Sequence, residues 1–449
     1  MPSPPSSIAA PRKPRPDSPL EHWFHLSENE TTVRQELIGG LTTFITMAYI
    51  VVVNAQILSQ AGMPADGVVF ATCVSAAAAT LVMGLYANYP IALAPGMSLN
   101  AYFTYSVCLG MHVPWQTALG VVFISGVVFI LITVTRVREQ IVNGIPDCLK
   151  HSTAAGIGIF IAFIGMRNAG LVVANPATFL SLGNFSDRGV QAAGFGILLT
   201  VGLIARKVHG SVLLGIAGTM LFGIARGIVH LPSALISMPH PSGTLLKLDL
   251  RGAIHLGLWE IIFAFLFVDL FDNVGTLMGV CAQAGFVKEG KIPRVGRVLL
   301  ADGVGTVLGS LTGTSTVTSY VESAAGVAAG ARTGLSNIMV AGLFVLALFF
   351  SPLATSIPAF ATAPALIVVG GLMMQSVAHI EWPDFSEAFP AFITAVAMPL
   401  TFSIATGLSF GVITYTAVKI AARKQREVSG VIWVLTIVFA LRDVYLAAR

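Results

Sequence analysis

The sequence predicts an all-α polytopic membrane protein. Of its 449 residues, 55% are hydrophobic and only 10% are charged, whereas a soluble domain carries about 25% charged residues. The mean hydropathy is +0.82. The apolar residues form long unbroken runs rather than the alternating segments of a membrane β-barrel. We therefore expect helices, whose backbone hydrogen bonds are satisfied within each segment.

Fourteen apolar segments follow one another along the chain, and the third and tenth are short and broken by Gly, Ser, Thr and Pro. The expected spans are 37–59, 68–86, 95–108, 115–135, 151–173, 191–206, 209–229, 260–283, 297–310, 320–331, 334–353, 362–379, 388–404 and 407–422. A further apolar run over 430–441 is too short to cross about 30 Å of hydrocarbon, so it predicts a helix along the inner surface.

The spans divide into two groups of seven, and an odd number per group makes the second copy inverted. A single offset, which places Asn100 on Glu322, aligns the two broken spans. Most lysines and arginines fall in loops on one side, which predicts that both termini are cytoplasmic. The expected units are a tail (1–36), a first repeat (37–229), an extracytoplasmic loop (230–258), a second repeat (260–422) and a tail with the surface helix (423–449).

Several classes of function lack support in the sequence. The basic residues form no aromatic-interleaved patch of the kind that binds nucleic acid. The four cysteines show no CxxC or metal-ligand spacing and are expected to be apolar filling. No HExxH signature is present. The one GxSxG match, GLSFG at 407–411, lies inside an expected span rather than at the strand-to-helix turn that a nucleophilic serine needs. We expect no enzyme, no metal and no cofactor.

The eighth span carries two acids, Asp269 and Asp272. One carboxylate at a helix centre costs roughly 2.5–3.5 kcal/mol on insertion scales, so acids in a membrane usually mark a pathway or coupling site. Three residues apart, the two share a helix face, which Thr276 extends. Gly275 and Gly279 are expected to admit a close neighbour. The alternative is a pair of structural acids with buried partners.

The two broken spans carry the other polar candidates. Asn100 offers an amide donor and acceptor, or makes an interhelical hydrogen bond. Glu322 stands at the start of a half-helix, where the dipole favours a carboxylate; the alternative is a helix cap alone. Asp302 is expected to have a structural capping or pairing role.

Three carboxylates and an amide would meet if the halves cross. Such a site would reject a simple anion, and the positive ends of two half-helices would oppose a metal cation. A flat neutral solute with several N–H donors and carbonyl or ring-nitrogen acceptors fits better, with Tyr320 among the aromatic rings available for stacking. Desolvated carboxylates are also candidate carriers of a coupling proton.

Four stretches resemble a known family: ELIGGLTTFITMAYIVVVNAQIL (36–58), ALAPGMSLNAYF (92–103), FVDLFDNVGTL (267–277) and TSYVESAAGVAAGARTGL (318–335). The chain is similar to the nucleobase–cation symporter-2, or nucleobase–ascorbate transporter, family, and most of all to its adenine/guanine/hypoxanthine (azaguanine-type) permease branch. The resemblance covers roughly 21–425.

The resemblance implies a fold with a core domain of spans 1–4 and 8–11 and a gate domain of the others. It implies a secondary active transporter of the inner membrane that imports hypoxanthine, guanine or adenine by alternating access, with the proton favoured over sodium as coupling ion. Asp272 and Glu322 match the base-contacting acids, and Asp269 and Asn100 match further branch positions. Thr276 stands where uracil-type members have a histidine. The family also implies a possible homodimer.

One alternative shares the predicted fold. Anion transporters of the sulfate or bicarbonate type resemble the same arrangement of seven plus seven spans, and they would be expected to have a neutral or basic site instead of three acids.

Overall fold

A computed structural model describes residues 19–135, 144–229, 232, 234–238, 243–255, 259–287 and 292–447. Within these residues the chain is mostly helical, with two small two-stranded sheets. Ten of the described helices are long and apolar enough to cross a membrane, and three more are apolar but shorter. The predicted tail 1–18 lies outside the described residues.

The first half of the chain contains one short helix before the apolar series. Its elements are α1 (Pro19–Phe24), α2 (Val33–Met47), α3 (Tyr49–Ser59), α4 (Ala65–Val82), β1 (Leu93–Pro95), α5 (Met97–Ala101), α6 (Trp115–Val134), α7 (Asp147–Asn168), β2 (Val172–Asn175), β3 (Phe179–Leu182), α8 (Arg188–Ala205) and α9 (Ser211–Ala225). Wider helical turns extend α4 to Ala87 and α5 to Gly110.

The second half follows a similar order. Its elements are α10 (Leu250–His255), α11 (Trp259–Gln283), α12 (Val295–Thr312), β4 (Val317–Ser319), α13 (Ser323–Ala328), α14 (Leu335–Ala347), α15 (Ser351–Ser356), α16 (Ala359–Met373), α17 (Phe385–Thr401), α18 (Ile404–Ala421) and α19 (Gly430–Ala447). Short 3₁₀ turns follow α14, α16 and α18.

Several helices begin after a residue whose side chain caps them. Thr32 accepts from the amide of Gln35 at the start of α2, and Asp187 and Asp384 cap α8 and α17 in the same way. A side-chain oxygen at this position satisfies one of the free N–H groups of the first turn. The predicted span 151–173 ends early, because the chain leaves α7 at Asn168 and forms the hairpin β2–β3.

Close helix packing relies on glycine at a few points. A Cβ on Gly84 would lie 2.7 Å from the carbonyl oxygen of Gly334, and one on Gly39 would lie 2.6 Å from the Cβ of Ala331. Neither position has room for a methyl group. Glu36, fully buried nearby, accepts from the backbone amides of Arg332 and Thr333 at 2.8 and 3.1 Å. The start of α2 is thereby fixed to the turn before α14.

The centre of the fold is the antiparallel pair β1–β4, in which Leu93 faces Ser319 and Pro95 faces Val317. All six strand residues are buried. The carboxylate of Asp302 in α12 accepts from the amide of Ser319 at 3.1 Å, which agrees with its expected pairing role. Each strand leads directly towards a short helix, α5 or α13. The extended lead-ins to the two predicted broken spans therefore pair with each other.

A charged cluster joins α17, α18 and the turn before α19. The Lys419 ammonium, 2% exposed, lies 2.6 Å from the Glu387 carboxylate and 2.7 Å from that of Glu427. Lys424 donates to Asp384 at 2.7 Å. Hydrogen bonds from Lys424 and Lys419 lower the pKa values of the Asp384 and Glu427 carboxyls, respectively.

The four cysteines are buried and unbonded to one another, which confirms their prediction as apolar filling.

Candidate functional site

Glu322 lies immediately before α13, at the end of the extended segment that includes β4. Its side chain makes no capping bond to that helix. Instead, its carboxylate accepts a 2.5 Å hydrogen bond from the phenol of Tyr49 at the start of α3. The alternative of a helix cap alone is therefore wrong. The half-buried carboxylate is held across the interface between the two halves of the chain.

Asp272 is held in a corresponding way from the other side. Its carboxylate accepts from the hydroxyl of Ser98, in the first turn of α5, at 3.2 Å. Thus α3 forms a hydrogen bond to the segment after β4, and α11 forms a hydrogen bond to the segment after β1. Asp272 and Glu322 also lie within electrostatic reach of each other. The structure brings these two predicted acids together.

Tyr320 joins the same cluster, within electrostatic reach of both carboxylates. Its phenol donates to the carbonyl oxygen of Pro95 at 2.5 Å, and its side chain is buried. The hydroxyl therefore holds the end of β1 and remains within electrostatic reach of the two acids. Val321, the next residue, is 58% exposed, and Asp272 and Glu322 are half-buried, so the cluster is not fully enclosed by the described protein.

Asn100 is fully buried. Its side-chain oxygen accepts a hydrogen bond from the hydroxyl of Ser315, in the segment leading to β4. The sequence allowed an interhelical hydrogen bond, but the partner is instead a serine of the extended segment between α12 and β4. The side-chain nitrogen has no hydrogen-bond partner among the described residues, and two amide donors remain for another acceptor.

One face of α11 changes character at Asp272. Before it, Ile261, Phe265, Val268 and Asp269 are buried. From Asp272 onwards the same face is half-buried or exposed, at Asp272, Gly275, Thr276, Gly279 and Gln283. A Cβ on either glycine would meet no atom of the described residues within 4 Å. Among these residues, no neighbour packs closely against the two glycines, contrary to the prediction.

The opposite face of the same stretch is packed. Asn273, Leu277, Val280 and Cys281 are each at most 1% exposed. Exposure on the first face therefore begins at the acid and continues to the end of α11.

Sequence reasoning missed the two hydroxyl groups that hold the acids. Tyr49 stands in an apolar run directly after the break at Ala48, and Ser98 stands beside the predicted Asn100. In each case the sequence offered one signal, a single hydroxyl group next to an interruption of a span. That signal does not identify the bonding partner, which lies more than 170 residues away in the sequence.

A model of the permease family matches residues 34–410, most of the chain. The chain belongs to this family, the nucleobase–ascorbate transporters. It is 54% identical to a Methanocaldococcus jannaschii protein whose name gives no substrate, over 95% of this chain and 99% of that one. It is 45% identical to the guanine/hypoxanthine permease PbuO of Bacillus subtilis, over 93% and 99% of the two chains.

The adenine permease AdeP of Escherichia coli is 44% identical, over 96% of this chain and 97% of that one. This family member is therefore an integral membrane transport protein and not an enzyme, as predicted. Among solved structures, the transmembrane domain of the cyanobacterial bicarbonate transporter BicA superposes with a TM-score of 0.65 at 17% identity, covering 85% of this chain and 97% of that domain. An identity this low shows a shared fold alone.

Proposed function

We propose that this permease imports purine nucleobases, namely hypoxanthine, guanine or adenine. The observation that carries the proposal is the pair of half-buried carboxylates, Asp272 and Glu322, which lie within electrostatic reach of each other where the exposed face of α11 begins. Relatives named for guanine, hypoxanthine and adenine support this substrate class.

The chemistry of the site suits a purine. Carboxylates accept from N–H groups on the edge of a base, and charge-assisted hydrogen bonds are about twice as strong as neutral ones. The ring of Tyr320 offers a face on which the base can stack. The side-chain nitrogen of Asn100 can donate to a carbonyl or ring nitrogen, and Thr276 can contact the base from the open face of α11.

The proposed arrangement of fourteen spans in two inverted repeats accounts for two hydrogen bonds that each join one half of the chain to the other. In an inverted repeat, a bond from the first span to the second broken segment should have a counterpart from the eighth span, α11, to the first broken segment. The bonds Tyr49–Glu322 and Asp272–Ser98 have this relation. The antiparallel pairing of β1 with β4 is likewise what opposed half-membrane segments require.

Alternating access between core and gate explains where the site opens. The open face of α11 leads from Asp272 towards the predicted cytoplasmic end of the helix. At the predicted outer ends, the amide of Gln56 donates to the carbonyl of Ile357, and the hydroxyl of Ser106 donates to that of Phe402. The second bond joins a proposed core span to a proposed gate span, and Ile357 lies in the loop between two such spans, which supports an arrangement that is closed outside and open inside.

Coupling to a proton gradient completes the proposal. Asp269, Asp272 and Glu322 offer three carboxylates in one region, and like charges close together resist ionising at the same time. One acid can then carry a proton while another holds the base. We favour Asp269 as the carrier because Asp272 and Glu322 border the open space. Sodium remains the less favoured ion.

The test is uptake by cells lacking their own purine permeases. Labelled hypoxanthine, guanine and adenine should enter saturably and compete with one another. The structural neighbours are anion transporters, so sulfate and bicarbonate serve as competing solutes. Competition by these anions, with none by purines, would establish the alternative function and refute this one.

A further inference from the structure

The final helix, α19, packs by a regular stripe of side chains. Ile432, Leu435 and Phe439 are buried, and Thr436 and Asp443 on the same face are half-buried. The spacing of three and four residues is that of one helix face. Both polar groups of this stripe have partners within the protein.

Those partners determine the position of α19 along α18. The hydroxyls of Thr436 and Thr416 are 2.7 Å apart, and the Asp443 carboxylate accepts from Ser409 at 2.7 Å. The two contacts are separated by seven residues on each helix, and the residue numbers rise along α19 while they fall along α18. The two helices are therefore antiparallel over about 10 Å. α18 is one of the helices suited to cross a membrane.

A second membrane helix contacts the far part of α19. The ring of Phe439 lies 5.8 Å, edge to face, from that of Phe263 in α11. Phe263 is near the start of α11, whereas α19 begins beside Gly144, whose carbonyl accepts from Ser429. The helix therefore passes from one end of the bundle well towards the other.

The described side chains on the outward face of α19 are apolar. Among its side chains, Val434 is 61% exposed, Ile437 57%, Leu441 67% and Val444 70%. A helix on the membrane surface would turn charged groups outward to water. Here the described polar groups point inward, and large apolar groups point outward, which suits hydrocarbon as the surrounding medium.

A cleft of about 350 Å³ beside this face has the same character. It lies between α6, α11 and α19, and its lining side chains are apolar. Val434 borders both the cleft and the exposed face. The cleft thus continues the apolar surface inward between the helices.

We propose that α19 is embedded in the bilayer beside α18 and α11, with its outward face and the adjoining cleft covered by lipid acyl chains. This position replaces the one along the inner surface that the short apolar run predicted. The helix has 18 residues, or about 27 Å at 1.5 Å each, against about 30 Å of hydrocarbon. The proposal does not depend on the substrate.

Spin labels on α19 test the proposal in the full-length protein. Nitroxides are attached at Val434→Cys, Ile437→Cys and Leu441→Cys, each in a chain whose four native cysteines are replaced and which remains monodisperse after reconstitution in phosphatidylcholine vesicles. Collisions with oxygen, which partitions into lipid, are compared with collisions with a water-soluble nickel complex. We expect oxygen to dominate at all three sites, most strongly at Ile437, near the middle of the helix.

Two controls calibrate the measurement. A label at Ile432→Cys, on the buried stripe, should collide little with either reagent, and one at Arg423→Cys, in an exposed turn, should collide with nickel. Strong nickel collisions at Ile437, or the same shallow depth at all three sites, would place α19 on the surface and overturn the proposal. Few collisions with either reagent, together with spin–spin broadening, would show that a second copy of the protein covers this face instead of lipid, and would also overturn the proposal.

Discussion

Glu322 and Asp272 are each held by one hydroxyl group from the opposite half of the chain, but the two hydroxyls differ. The phenol of Tyr49 is a bulky donor at 2.5 Å, whereas Ser98 donates at 3.2 Å from a small side chain. A shorter charge-assisted bond constrains its acceptor more. We therefore infer that Glu322 is the more fixed acid and that Asp272 adjusts to the ligand.

Replacing either acid should impair transport strongly. Glu322→Gln and Asp272→Asn each exchange a charged acceptor for a neutral amide, and a hydrogen bond to a charged group contributes about 1.5–3 kcal/mol. We expect uptake of labelled purine to fall by about ten- to a hundredfold, with normal amounts of protein in the membrane. Tyr49→Phe is the matched control: it keeps the carboxylate, so the loss should be smaller. Wild-type uptake by both acid variants would contradict the assignment.

Asp269 should affect coupling rather than entry. Asp269→Asn cannot carry a proton, so we expect it to equilibrate purine across proteoliposomes without concentrating it. The measurement imposes a proton gradient at fixed membrane potential, and a sodium gradient is applied separately. If Asp269→Asn still concentrates purine as wild type does, Asp269 is structural and coupling rests with Asp272 or Glu322.

At the scale of elements, the pair β1–β4 sets the positions of both short helices. Gly96 follows β1, and a Cβ there would lie 2.8 Å from the Cγ2 methyl of Thr318. The backbone of Gly96 has a φ of −72°, which alanine adopts readily. The restriction at this position is therefore one of space and not of conformation.

This restriction predicts a rescue. Gly96→Ala should lower thermal stability and uptake, because overpacking a buried contact costs about 1–3 kcal/mol. Adding Thr318→Ser removes the obstructing methyl group and should restore most of both. Melting of the purified protein and uptake are measured for each single variant and for the double variant. An equal defect in Gly96→Ala with and without Thr318→Ser would show that the contact is not the cause.

The sequence predicted most helices of this fold, because their apolar runs are long and local. It placed both broken segments but not their pairing, since three residues per strand carry too little pattern to specify a distant partner. It misjudged the length of α19, because Arg442 and Asp443 interrupt the apolar run. Asp443 is tolerated there by its bond to Ser409, a contact that no local pattern reveals.

At the scale of the whole molecule, Lys419 connects three elements at one end of the bundle. Its ammonium, 2% exposed, lies between Glu387 of α17 and Glu427 of the turn before α19. Lys424 makes a single, more exposed pair with Asp384. The lowered pKa values of Asp384 and Glu427 mean that both pairs are present at neutral pH and weaken as the pH falls through those values.

The two lysines should therefore differ in their effect on stability. Lys419→Ala leaves two carboxylates without their shared partner, one of them largely buried, and should lower the melting temperature by several degrees. Lys424→Ala, the matched control, should change it by about a degree or less, because exposed pairs contribute little. Melting in detergent at pH 7 measures both. Equal shifts in melting temperature would show that the burial of Lys419 does not increase its contribution to stability.

The pairing of β1 with β4 also bears on how the protein is made. Ala94 faces Thr318, so the second strand is synthesised 224 residues after the first (318 − 94). At roughly 5–20 residues per second, that is a delay of about 11–45 s. During that interval the first strand has no backbone partner, and lipid cannot supply one. The newly inserted first half must therefore wait, shielded by the translocon or a chaperone, until the second half arrives.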